Sequence, residues 1–280
     1  MEKVKVGFAK VGNIGCGPLI EFLLDERAER KDIEVRVIGS GSKMDPESCI
    51  KVANELVNHK PDFIVLLTPN ASLPGPVKAR EVFRDSGVPT VIISDNPAKK
   101  ASKATEEAGI GYIIVEGDVM IGARREFLDP VEMACFNSDI IKILAVSGVF
   151  EVLRFEIDKL IKAIKKGERP ELPRTIVGKD KAVDAADFTN PYAKAKAAAA
   201  YEMARRAGDL NFEGCFVEKD WGRYVQLVSS GHEIIRAAAR LADEAREIEK
   251  NIDTLSRRPH DSEGSPLLKR KLLEKPKGPQ

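Results

Sequence analysis

The chain has 280 residues, with 45 Lys and Arg against 44 Asp and Glu, a formal net charge of +1. That length allows about two domains and a core that needs no disulfide or metal staple. The charge balance excludes a globally basic nucleic-acid binder and a strongly acidic surface. No apolar run reaches the roughly 18 residues of a membrane span. Met1 leads straight into a strand-like pattern, so no signal peptide is expected. The expected location is therefore the cytoplasm.

In chain order, apolar β-rich runs fall at Val4–Phe8, Ile33–Ile38, Phe63–Leu67, Val91–Ile93 and Tyr112–Val115. Most lack polar alternation, as strands covered on both faces do in a parallel sheet. Helix-length segments lie between them at Pro18–Arg30, Pro46–Asn58, Pro76–Ser86 and Pro97–Ala108. Their early prolines suit a first helical turn, and Gly87 and Gly109 suit helix ends. The second half predicts helices at Val131–Ser147, Glu151–Lys166, Pro191–Gly208 and Gly231–Asn251, and a short strand at Arg174–Gly178. Phe212–Val217 and Arg223–Val228 flank a turn and read as a hairpin. In the last helix Ile234, Ala238, Leu241, Ala245 and Ile248 form a stripe suited to packing within the chain or to a subunit seam. The fold class is α/β: a mostly parallel, Rossmann-like sheet flanked by helices, then a helical bundle with a small hairpin. The expected units are residues 1–128 and 129–280.

Candidate chemistry gathers on the loops after the first three strands. The first carries Lys10 and then Gly12, Asn13, Ile14, Gly15 and Cys16, where small residues admit a ligand and the next helix start favours an anion. The second is Gly39, Ser40, Gly41, Ser42 and Lys43. It lacks the acid that would hold a ribose diol, so it suits a phosphate better than NAD. The third is Thr68, Pro69 and Asn70. A further polar block holds Arg124, Arg125, Glu126, Asp129 and Glu132 at the junction of the halves, where ligand clefts form. Asp129 there also reads as an ordinary helix cap ahead of Pro130. Cys16, Cys49, Cys135 and Cys215 form no paired motif and read as reduced thiols. His59, His232 and His260 stand alone, so no metal site is expected. An NADP-dependent oxidoreductase using Lys43 and a non-catalytic pterin- or nucleotide-binding module remain open on these residues.

Several stretches in this order resemble the coenzyme F420-dependent methylene-tetrahydromethanopterin dehydrogenases of archaea. They include Gly12–Gly15, Leu23–Ala28, Lys43–Glu47, Gly75–Pro76, Gly122–Met133, Asn190–Ala193, Gly214–Glu218, Ala242–Glu247 and Arg257–His260. Departures gather in Lys166–Asp187 and after His260. The resemblance implies reversible hydride transfer from methylene-tetrahydromethanopterin to the 5-deazaflavin of coenzyme F420, a cosubstrate. It implies no metal, no flavin and a homo-oligomer, a hexamer. Such a reaction needs no obligatory acid, base or nucleophile, because both partners are already activated; the protein orients two rings. The first three loops are then expected to hold the deazaflavin. The Arg124–Glu132 block is expected beside the pterin. Glu126, Asp129 or Glu132 would face the developing cation, and Lys10, Arg124 and Arg125 the anionic tails.

Overall fold

Uninterrupted β-branched runs form the centre of a six-stranded parallel sheet in the computed structural model, which describes residues 3–24, 30–119, 127 and 129–278. The strands are β1 (Val4–Lys10), β2 (Ile33–Gly39), β3 (Phe63–Leu67), β4 (Thr90–Asp95), β5 (Gly111–Val115) and β6 (Arg174–Val177). Their order is β2-β1-β3-β4-β5-β6. The chain therefore reverses its direction of travel across the sheet at β1 and β3, the switch point where open α/β sheets bind ligands at the carboxyl ends of their strands. Every residue of β3 is buried, as its unbroken Phe-Ile-Val-Leu-Leu predicts for a central strand. The edge strand β2 is largely open to solvent.

Two apolar layers cover the sheet. Ile64, Leu66 and Ile92 pack on one face with α2 (Pro46–Asn58) and α3 (Pro74–Ser86). Val6, Phe8, Val65 and Ile113 pack on the other with α1 (Cys16–Leu24), α5 (Pro130–Val146) and α6 (Val149–Lys165). Between β4 and β5 the chain makes a 3₁₀ turn at Asn96–Ala101 and then the short α4 (Ser102–Glu107). The predicted helix Pro18–Arg30 is seen as far as Leu24, since 25–29 lie outside the described residues. Gly87 ends α3 in the left-handed conformation, as its position predicts.

Past the short α7 (Lys179–Ala185), the long α8 (Pro191–Phe212) and α9 (Trp221–Asn251) lie against each other. Their buried residues include Ala197, Ala200 and Ala204 on one helix and Ala238, Ala242 and Ala245 on the other. Side chains this small let helix axes run close together. The predicted stripe on α9 is thus met within the chain at Ala238 and Ala245. The predicted hairpin is not formed. Phe212 ends α8, Glu213–Val217 makes one π-helical turn, and Arg223–Val228 is the start of α9. Asp220 accepts from the Arg223 amide and caps α9, so the turn residues that suggested a hairpin start a helix instead.

Candidate active site

The three predicted loops meet. The Val11 amide donates to the Leu67 carbonyl at 2.9 Å, the Gly12 amide to Gly41 at 3.1 Å and the Ser40 amide to Lys10 at 3.0 Å. Gly12 sits at φ +84°, and a side chain there would strike Met44 and Pro69. Only glycine fits that crossing, because it alone combines a positive φ with no Cβ. Its backbone is buried, so Gly12 locks the three loops together. Asn13, Pro69 and Asn70 are half-buried at this edge, and Gly39, Gly41, Ser42 and Lys43 are exposed.

The start of α1 already holds an anion. The amides of Gly15 and Cys16 each donate to Asp118 at 2.7 Å, one to each carboxylate oxygen. Asp118 lies just past β5 and is 1% exposed. Charge-assisted bonds to a helix start are strong ones, so this carboxylate fixes the glycine loop to the end of β5. Tyr201 of α8 adds a second tie: its hydroxyl donates to the Val177 carbonyl and accepts from the Gly117 amide at 3.1 Å. Burial raises the Tyr201 phenol far above its ordinary pKa, so it stays neutral.

Between these ties opens a cleft of about 730 Å³. One wall carries Asp95, Lys99, Glu116 and Asp118 from the ends of β4 and β5. The other carries Asn211, Phe212 and Phe216 from the end of α8 and the π-helical turn. Lys99 is paired with Glu116. Phe216 is 78% exposed and its ring centroid lies 5.6 Å from that of Phe212. Exposed aromatic faces beside polar groups suit a planar heteroaromatic ring. A larger hollow, about 970 Å³, opens near the amino ends of β4, β5 and β6, away from these loops.

The other predicted residues have defined places. Lys10 pairs with Glu21 at 2.6 Å. Asp129 accepts from the amides of Val131 and Glu132 at 2.7 and 2.9 Å, capping α5. Glu132 contacts His232 of α9 at 2.7 Å, and the imidazole stacks on Phe136. Ile14 and Cys16 are buried, and burial together with Asp118 pushes the Cys16 thiol well up. Thr68 is fully buried beside Ser94, whose hydroxyl donates to the Thr68 carbonyl at 2.7 Å. Arg124, Arg125 and Glu126 lie outside the described residues. Among the described residues no group of three His, Cys, Asp or Glu side chains is placed to hold a metal ion, and no helix is long and apolar enough to cross a membrane.

Asp95, Asp118, Asn211 and Phe216 escaped the sequence reading. Asp118 is joined to Gly15 across 103 positions, and no local pattern signals such a bond. Phe212 and Phe216 lay inside the supposed hairpin. Their four-residue spacing carried a helical signal that the neighbouring turn residues obscured.

Comparison with known proteins agrees with this fold. A family model described as methylene-5,6,7,8-tetrahydromethanopterin dehydrogenase matches residues 4–277. The F420-dependent methylenetetrahydromethanopterin dehydrogenase of Methanocaldococcus jannaschii is 53% identical over 98% of this chain and 99% of its own. Its counterpart from Archaeoglobus fulgidus is 54% identical with the same coverage. A solved F420-dependent methylene-tetrahydromethanopterin dehydrogenase, in complex with methylene-tetrahydromethanopterin and coenzyme F420, is 48% identical to this chain. It superposes with a TM-score of 0.96, covering 99% of this chain and 100% of that one. This chain belongs to the methylene-tetrahydromethanopterin dehydrogenase family.

Proposed function

We propose that this chain catalyses reversible hydride transfer from methylene-tetrahydromethanopterin to coenzyme F420 at the carboxyl edge of its sheet. The products are methenyl-tetrahydromethanopterin and the reduced coenzyme. The observation that carries the reading is the end-to-end likeness to dehydrogenases of that name, over 98% of the chain. The residues of the edge fit a planar ring with an anionic tail. Exposed Ser42 and Lys43 and half-buried Ser40 and Asn70 offer hydroxyls, a cation and an amide, while Phe212 and Phe216 offer flat apolar faces.

When bound, the deazaflavin supplies the hydride acceptor and the pterin nitrogen supports the carbon that loses hydride. The chain's part is binding, orientation and exclusion of water. Gly12, Gly41 and Pro69 hold the loops in register. Phe216 and Phe212 flank the cleft in which the reacting ring lies. Asp118, whose charge is fixed by two backbone amides, sets negative potential where positive charge develops on the methylene carbon. Asp129 and Glu132 border the pterin from the start of α5, and the same substrate is assigned to Arg124, Arg125 and Glu126, which precede them in the sequence. In solution, oxidised F420 should lose its visible absorbance only when methylene-tetrahydromethanopterin is added. Reduction of NADP instead would reject the reading.

The same proposal includes a cytoplasmic homo-oligomer, a hexamer, built of units at 1–128 and 129–280. Apolar side chains left open on the β2 side of the sheet, Phe22 and Val37, support association there. Light scattering that returns the mass of one chain at working concentration would reject the oligomer.

A further inference from the structure

Asp95 ends β4 and lines the cleft, and its Oδ1 is shut from water with no hydrogen-bond partner. Ser94, one residue before, is hydrogen-bonded to the loop after β3, so Asp95 stands between the deazaflavin loops and the cleft. Asp118 acts on it from the end of β5, with its own charge fixed by the Gly15 and Cys16 amides. Of two carboxylates that act on each other, the one that accepts from two backbone amides is the better held as an anion. Burial first, and the Asp118 charge second, push the Asp95 carboxyl well above the ordinary range.

The surrounding charges leave that preference in place. From the 3₁₀ turn, Lys99 is paired with Glu116 and Lys100 is exposed. From α8, Arg205 is paired with Glu202 and Asp209 with Arg206. Glu213 enters from the π-helical turn, and the Cys16 thiol of α1 stays protonated. The facing wall of the cleft carries Phe212 and the exposed Phe216, flat faces that suit a planar ring lying against Asp95.

We propose that Asp95 carries a proton at neutral pH and donates it to the ring bound across the ends of β3 and β4, first as a hydrogen bond and then as an acid. The inference rests on the reaction proposed above, whose balance requires a proton. A carbon–hydrogen bond of the methylene group breaks and its electron pair leaves with the hydride for the deazaflavin. The neighbouring nitrogen lone pair closes the carbon–nitrogen double bond of the methenyl cation. The Asp95 O–H bond breaks and its proton passes to the reduced ring, and the carboxylate regains a proton from water. Methylene substrate, oxidised coenzyme and one proton thus become methenyl cation and reduced coenzyme, with two electrons moved and charge conserved.

Infrared difference spectroscopy of the ligand-free protein at neutral pH tests the assignment apart from turnover. The wild type should show a protonated-carboxyl stretch that shifts when F420 binds and is absent in Asp95→Asn. That variant should bind F420 within a few-fold of wild type. Its kcat for F420 reduction should fall at least ten-fold and stay level at alkaline pH, where the wild type's should decline. No such stretch in the wild type, or one unmoved by F420, would overturn the assignment even if Asp95→Asn failed to fold. A missing stretch with normal turnover removes Asp95 alone. No F420 reduction by wild type at any pH removes the reaction reading and the acid role with it.

Discussion

Asp118 joins the glycine loop to the end of β5 by two short bonds, one to each carboxylate oxygen. Asp118→Ala leaves both donors buried and unpaired, at a cost of roughly 3 kcal/mol. Urea unfolding should show it. A loss under about 0.5 kcal/mol, the scale of an ordinary surface change, would mean that water replaces the carboxylate. Asp129 is held less tightly. Asp129→Ala removes the α5 cap and should cost about 1 kcal/mol, with F420 still bound. A fall in kcat of the folded variant would place Asp129 beside the pterin as well as on the helix. Asp32 gives the fold a pH signature. Burial alone would raise its pKa, but bonds from Arg30 and Lys165 outweigh that and lower it from the ordinary 3.8 to about 2. Its carboxylate is therefore stabilised by folding. That stability is present above the unfolded pKa and is lost as pH falls through the folded one. Unfolding free energy should drop by about 2 kcal/mol between about pH 5 and pH 2 from this group. Asp32→Asn should show a correspondingly shallower acid slope.

At the scale of elements, the π-helical turn presents Phe216 to the cleft. Phe216 is mostly exposed, so Phe216→Ser should leave the melting temperature nearly unchanged while raising KM for one or both ring substrates several-fold. Equal KM values would remove the turn from the site. Gly214 in the same turn lies against Val228 and Leu227 of α9, and a Cβ there would come within 2.9 Å of Val228. The α8–α9 seam is equally tight. Ala242→Leu should destabilise by about 1–3 kcal/mol through overpacking, readable in a denaturant melt. The strands and most helices of the first half were legible because β3 and its neighbours carry a run pattern that burial on both faces imposes. The loop edge was legible through Gly12 and Gly41. The hairpin misreading arose because Asp220 and Gly222 serve a helix start as readily as a turn. Asp95 and Asn211 were illegible because their neighbours are supplied by other elements: Asp118 past β5 and Gly231 on α9.

Over the whole molecule, the near-zero net charge conceals a structured distribution. The basic tail is folded onto the chain rather than spread into solvent. Arg258 and Arg270 both reach Asp187, Arg258 also reaches Glu151, and His260 is fully buried against Asp158. These contacts hold the tail to α6 and to the loop after α7. Lys43 near the loops and Lys100 near the cleft are exposed. The sheet also draws β6 from the second half, so the helical part is bound to the ligand edge through Tyr201 and Val177. All of this serves one claim: two rings meet at the carboxyl edge and exchange a hydride directly. Methylene-tetrahydromethanopterin carrying deuterium on both methylene hydrogens tests it, with the reduced F420 examined by mass spectrometry and NMR. The account predicts one deuterium on the reduced ring carbon, with none lost to water. Deuterium released to solvent, with protium on that carbon, would contradict it.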